Sequence, residues 1–205
     1  MEIKAYASDL LSSNMYIISE NGHAVVIDPS RDIARGEGLI IDLLMVTHEH
    51  YDHISGVNMW KEAYKAPLLC SDACAANLGD TVKNQSRHFD VFCEFQSWIK
   101  QDAPVETESD YKCEADMTFR DKTEFEWQGH LFRLIEIPGH SQGSIGIYLD
   151  DFFFSGDSLL EGKETEFRLP GGSREQWREI GEPRIGAVPA GTTIFPGHFN
   201  SFIKE

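Results

Sequence analysis

No run of this chain is apolar for long enough to cross a bilayer, and the N-terminus, Met1-Glu2-Ile3-Lys4 leading on to Asp9, lacks the apolar segment of a secretion signal. Both absences lead to the expectation of a cytoplasmic protein with no membrane partner. Basic residues are scarce as well: 18 Lys and Arg stand against 34 Asp and Glu, a formal charge of -16. That balance opposes polyanions, because contacts to phosphates depend on Lys and Arg to displace counterions, so nucleic acid is not expected as a partner. Cysteine is limited to Cys70, Cys74, Cys93 and Cys113, with no C-x-x-C pair and no His to complete a zinc knuckle. A chain with a good core has no need of disulfide staples, so free structural thiols are expected. Internal repeats, low-complexity tracts and linkers are missing too. The 41% hydrophobic and 25% charged content is that of an ordinary globular protein. A length of 205 residues suits one domain over 1–205, in which roughly 70% of the unfolded surface is buried.

What the chain does have is a dense set of metal-type donors at Thr47-His48-Glu49-His50-Tyr51-Asp52-His53. The apolar run Leu43-Leu44-Met45-Val46 before it reads as a buried strand, and Val57, Trp60 and Tyr64 after it fall at helical spacing. The donors therefore sit on a strand-to-helix turn, with Ser55 as the expected cap of the helix. Three imidazoles and a carboxylate so close together offer the nitrogen and oxygen atoms that zinc, iron and manganese accept; a solvated polar loop is the bland alternative. Further donors follow other apolar runs: Pro138-Gly139-His140-Ser141 after Leu131 to Ile137, Ser155-Gly156-Asp157 after Phe152 to Phe154, and Pro196-Gly197-His198 after Thr193 to Phe195.

The rest of the chain reads as strands and helices in alternation, hence an α/β layered arrangement. Ile3 to Ala7, Met15 to Ser19 and His23 to Ile27 are expected strands, with Asn21-Gly22 as a hairpin turn. Leu39 to Val46 and Ala66 to Leu69 are further strands, and Ser71-Asp72 caps a short helix through Ala76. Hairpins follow from Ala115, with turns at Asp121-Lys122 and Gln128-Gly129, and Ile145, Ile147 and Leu149 alternate as in a half-buried strand. Leu159 to Gly172 is a loop, after which Ser173 and Gln176 match a capping box opening a helix through Trp177 and Ile180. His23 and His130 are read as hairpin or surface residues rather than ligands.

The order of the four donor segments resembles the metallo-β-lactamase superfamily over essentially the whole chain. That resemblance implies a four-layer αββα sandwich. It implies that His48, His50 and His140 hold a first metal, that Asp52, His53 and His198 hold a second, and that Asp157 bridges the two. Two divalent ions, zinc foremost with iron or manganese as alternatives, would then generate a bridging hydroxide as nucleophile, with Asp52 and Asp157 as the catalytic carboxylates. Thr47, Ser141 and Ser158 are expected to hydrogen-bond the ligands, and Gly139, Gly156 and Gly197 to allow the tight turns that aim them.

Within the family, residues 115–144, the stretch Phe154 to Leu159 and Leu169-Pro170-Gly171-Gly172 look most like the glyoxalase II group of thioester hydrolases. The expected activity is hydrolysis of a small ester, thioester, lactone or phosphoester; oligomeric state is left open. The alternative is an iron oxidoreductase similar to persulfide dioxygenases, built on His48, His140 and Asp157. Phe199-Asn200 stands where the family usually has glycine-proline, Glu166 where an arginine is often found, and the chain stops where the glutathione-binding helical domain of larger enzymes begins. Residues of about 84–111, with Phe89, Phe92, Phe95, Trp98 and Ile99 near helical spacing, form a variable insertion. It is expected either to cover the site and help select substrate, or only to pack on the core.

Overall fold

The computed structural model describes residues 1–96 and 106–205. Two six-stranded sheets pack face to face. The first runs in sequence order: β1 (Glu2–Ala7), β2 (Asn14–Glu20), β3 (His23–Ile27), β4 (Ile40–Met45), β5 (Leu68–Ser71) and β6 (Met117–Phe119). Its first three strands pair antiparallel, whereas β3 to β6 pair parallel, with helical crossovers between β4 and β6. The second runs β12-β11-β10-β9-β8-β7, from β7 (Lys122–Trp127), β8 (His130–Glu136), β9 (Ile145–Leu149) and β10 (Phe152–Gly156) to β11 (Thr193–Pro196) and β12 (Phe202–Ile203). Only β10 and β11 are parallel in it.

Strand periodicity sorts the side chains into layers. Tyr16, Ile18, Val25, Ile27, Leu43 and Met45 point from the first sheet to Phe132, Leu134, Ile145, Ile147 and Phe154 of the second. Their neighbours Ile17, Ala24, Val26, Leu44 and Leu68 point the other way, into a cluster with Ile54, Val57, Trp60 and Leu78 of the helices α1 (Tyr51–Ile54), α2 (Val57–Tyr64) and α3 (Asp72–Leu78). This alternation is the period of two that a strand imposes. Each fully buried Val or Ile contributes about 1.5–3 kcal/mol. On the far face of the second sheet, Ile137, Phe153 and Ile194 pack on Ile185 of a helical run made of α5 (Arg174–Gln176), a π turn (Trp177–Gly181) and α6 (Glu182–Gly186). The result is the expected helix–sheet–sheet–helix order, and all four cysteines are free.

Three local expectations change. Ser55 caps no helix start: it ends α1, and Gly56 precedes α2. The reason is close packing, since a Cβ on Gly56 would lie 2.0 Å from the Ser30 carbonyl oxygen. The helix opened by Ser71 runs on to Leu78, with the Ser71 hydroxyl accepting from Cys74 N at 3.1 Å. Ser173 does cap α5 by accepting from Gln176 N at 3.2 Å, but the Gln176 carbonyl returns no bond, so only half of the capping box forms. Of the aromatic insertion, Phe89 is buried against Tyr51 at a ring distance of 5.1 Å, and Phe95, at the end of α4 (Phe89–Phe95), is 82% exposed. Trp98 and Ile99 lie outside the described residues.

Candidate metal centre

Every donor sits just past the end of a strand, on one rim of the sandwich. β4 ends at Met45 and delivers His48, His50, Asp52 and His53; β8 ends at Glu136 and delivers His140; β10 delivers Asp157 and β11 delivers His198. The two sheets are tied together beside them. Ile145 N donates to Thr47 O (2.8 Å), Asn14 N to Gly197 O (2.7 Å), and the Tyr16 hydroxyl to Pro196 O (2.6 Å). Gly197 allows the closest approach, because a Cβ there would stand 2.0 Å from Asp157 Oδ1.

All seven sequence-predicted residues converge, and all are buried. They form three overlapping groups whose donor atoms lie within 4.8 Å of one another: His48, His50 and His140; Asp52, His53 and His198; and His48, His53 and Asp157. Asp157 reaches both ends of the cluster. Its Oδ1 is 3.6 Å from His53 Nε2, and its Oδ2 is 3.4 Å from His198 Nε2 and 3.7 Å from His140 Nε2.

Each imidazole has one nitrogen turned outward to a fixed acceptor. His50 Nε2 meets Pro170 O at 3.0 Å, His140 Nδ1 meets Glu166 O at 3.0 Å, and His198 Nδ1 meets Leu11 O at 3.1 Å. His53 Nδ1 meets Asp28 Oδ2 at 3.0 Å, and His48 Nδ1 meets the Thr47 hydroxyl at 3.0 Å. That hydroxyl already donates to Asp28 Oδ2 (2.7 Å), so it accepts from His48. Carbonyls and carboxylates only accept, so each outward nitrogen is assigned the proton. The inward nitrogens of His48, His50 and His140 are then bare lone pairs.

His50 Nδ1 and His140 Nε2 lie only 3.1 Å apart. Two lone pairs at that distance repel unless a cation lies between or beside them. A proton does not serve, since burial, and then His140, hold His50 down to about 3. Burial likewise lowers His140, and holds His48 well below the usual imidazole range with help from neighbouring rings. His48 Nε2, His53 Nε2 and Asp157 Oδ1 are buried with no hydrogen-bond partner among the described residues. The donor set therefore fits metal ions, with outward bonds that orient each ring as in known metal sites.

The second group is charged differently. Burial opposes protonation of His53 and His198, but Asp52 and Asp157 outweigh it and raise the two rings to about 9 and about 10. In return, burial is overcome at both carboxyls. His53 and His198 hold Asp52 below its usual range, and His198 and His53 hold Asp157 well below. Without ions these are two imidazolium–carboxylate pairs, so binding of a cation here must release protons.

Two residues of the centre escaped the sequence reading. Asp28, just past the end of β3, accepts from Thr47 N (2.6 Å), the Thr47 hydroxyl and His53, so it steers two ligands. Glu49, between two ligands, is fully buried and bonds Asn77 and Ser141. Of the expected supports, Thr47 holds His48. Ser141 holds Glu49 rather than a ligand, and the Ser158 hydroxyl has no hydrogen-bond partner among the described residues. Glu166 holds His140 through its backbone carbonyl while its carboxylate pairs with Arg168 at 2.5 Å. His23 pairs with Asp42 and His130 with Glu20 and Asp150, outside the cluster as expected.

Comparison with known proteins bears on the family and the fold. The hydroxyacylglutathione hydrolase of Photorhabdus laumondii is 27% identical over 189 residues, covering 89% of this chain and 60% of that protein, so the chain spans about 60% of that relative's length. Among solved structures, the BLEG-1 B3 metallo-beta-lactamase superposes with a TM-score of 0.80 at 22% identity, over 98% of this chain and 94% of that one. ETHE1 from Myxococcus xanthus gives 0.72 at 21% identity, over 99% and 80%. These two likenesses concern the fold alone. The family model of the metallo-beta-lactamase superfamily matches residues 8–198, and the chain belongs to that superfamily.

Proposed function

We propose that this chain is a dinuclear metal-dependent hydrolase of a small ester, thioester, lactone or phosphoester, with a thioester of the hydroxyacylglutathione kind as the most specific reading. The observation that carries it is the convergence of seven buried donors, with His50 Nδ1 and His140 Nε2 facing each other at 3.1 Å beside the group of Asp52, His53 and His198. His48, His50 and His140 would hold one ion, Asp52, His53 and His198 the other, and Asp157 both. Divalent ions so held would supply Lewis acidity and a water made nucleophilic near neutral pH. Zinc suits this nitrogen-rich set, with iron or manganese as alternatives.

The chain's own part is to aim the donors and handle protons. Asp52 would take the proton released as water adds to the acyl carbon and pass it to the departing thiolate or alkoxide, with Asp157, which reaches both donor groups, orienting that water. The substrate on this reading is a small molecule, and free thiols accord with a cytoplasmic location.

Elemental analysis of protein purified without chelators tests the reading, followed by assays on thioesters, lactones and phosphodiesters. Near two zinc, iron or manganese ions per chain with hydrolysis of one class is the expected result. One iron with oxygen uptake on a persulfide would favour the oxidoreductase built on His48, His140 and Asp157. No ion after reconstitution would refute both.

A further inference from the structure

Glu49 is a carboxylate with no solvent exposure, lodged between the ligands His48 and His50 yet turned away from the donor cluster. Its Oε1 accepts from Asn77 Nδ2 of α3 at 2.9 Å, and its Oε2 accepts from the Ser141 hydroxyl at 2.8 Å. The Ser141 hydroxyl is itself 2.9 Å from that of Ser144, which accepts from Ser141 N at 3.1 Å. Gly143 O accepts from the Ser71 hydroxyl at 2.9 Å, so the same loop is fastened to the start of α3. Both carboxyl oxygens are thus occupied, one from α3 and one from the loop that carries His140.

The carboxylate stands where the segments bearing the first donor group meet. One segment carries His48 and His50, and a second carries His140 next to Ser141. A third, Pro170-Gly171, receives the His50 ring, and a Cβ on Gly171 would lie 3.4 Å from Glu49 Oε1. The first group contains three imidazoles and no carboxylate of its own, whereas the second has Asp52.

We propose that Glu49 is the positioning residue of the first ion site: through Asn77 and Ser141 it fixes the spacing of His48, His50 and His140. This rests on the metal-site reading above. It adds that the two sites depend on different carboxylates, with Glu49 serving the first from outside the ligand set.

Chelator competition with zinc on the full chain provides the test, since it reads two affinities without any substrate. The wild type should take up two ions. Glu49→Ala removes both anchors at once and should weaken one of the two ions by about 10–100-fold, leaving the other within about threefold. Glu49→Gln keeps an oxygen for Asn77 and offers an NH2 that the Ser141 hydroxyl accepts, and should recover most of the loss. Ser141→Ala removes one anchor and should weaken the same ion by a smaller factor, which preserves the test if Glu49→Ala fails to fold. Unchanged affinities in Glu49→Ala, or equal weakening of both ions with no recovery in Glu49→Gln, would overturn the role of Glu49 while leaving the metal site standing. A wild type that takes up no ion would instead overturn the metal-site reading on which it depends.

Discussion

Asn in place of Asp28 keeps the size of the side chain and tolerates its left-handed backbone, φ 52°, but cannot accept everywhere the carboxylate does. Thr47 N donates to Asp28 Oδ1, and the Thr47 hydroxyl and His53 Nδ1 both donate to Oδ2. An amide has one oxygen, so its NH2 must face either the Thr47 N–H or the His53 N–H, and one buried donor is left unpaired. That costs about 1–3 kcal/mol, and loss of a charge-assisted bond brings the total to about 2–4 kcal/mol. In urea this is a fall of about 1 M in midpoint, from the usual slope of about 2–3 kcal/mol per molar for a chain of this size. The same substitution frees the His53 ring, so zinc uptake should drop from two ions toward one. Urea titration of ion-free protein and elemental analysis of reconstituted protein measure the two effects separately. A midpoint within about 0.2 M of wild type together with full zinc uptake would show that the bonds to Asp28 neither stabilise nor aim anything.

Asp157→Ala removes the carboxylate that reaches both donor groups and should abolish turnover with loss of at least one ion, while far-ultraviolet circular dichroism stays native; activity equal to wild type would refute its role. Gly197→Ala places a methyl 2.0 Å from Asp157 Oδ1 and should cut zinc uptake as strongly as loss of a ligand, which elemental analysis would show. Trp60→Phe loses the bond from Nε1 to Ser30 O (2.7 Å) and leaves a small void, and should lower stability by about 2–4 kcal/mol by urea titration, without effect on ion content. His130 is raised above its ordinary value, first by Asp150 and also by Glu20, so its ion pairs stabilise fully below the unfolded value of about 6.5 and fade as pH rises through the folded one. His130→Asn should therefore be less stable than wild type at pH 6, and the gap should close as the pH becomes alkaline; a gap constant with pH would exclude the ion pairs as its cause.

The donors were legible because each lies in a short contiguous motif just after a strand, where local pattern and chemistry coincide. The layers were legible for the same reason: alternation along β2 to β4 separates Val25 and Ile27 from Ala24 and Val26. The supports were not legible. Asp28 works on Thr47 and His53, 19 and 25 residues on, and Glu49 works on Ser141, 92 residues away, so neither shows a spacing that a sequence displays. Ser55 misled because cap preference is a local rule, whereas the close approach of Gly56 to the Ser30 carbonyl is a tertiary one. The aromatics after residue 84 were ambiguous since Phe89 and Phe95 share a spacing and differ only in what faces them: the first meets Tyr51, the second solvent.

Each sheet is drawn from one contiguous half of the chain, β1 to β6 from residues 2–119 and β7 to β12 from residues 122–203, with Arg120 and Asp121 between them. His48, His50, Asp52 and His53 come from the first half, and His140, Asp157 and His198 from the second. The centre is thus a seam, and any ion in it is a rivet between two sequence halves. A chain cleaved at Arg120 would have its two pieces held by the apolar faces of the sheets and by that rivet. Reassembly of the pieces should then vary with ion concentration, so that the same atoms that set reactivity would also report whether the two halves have met.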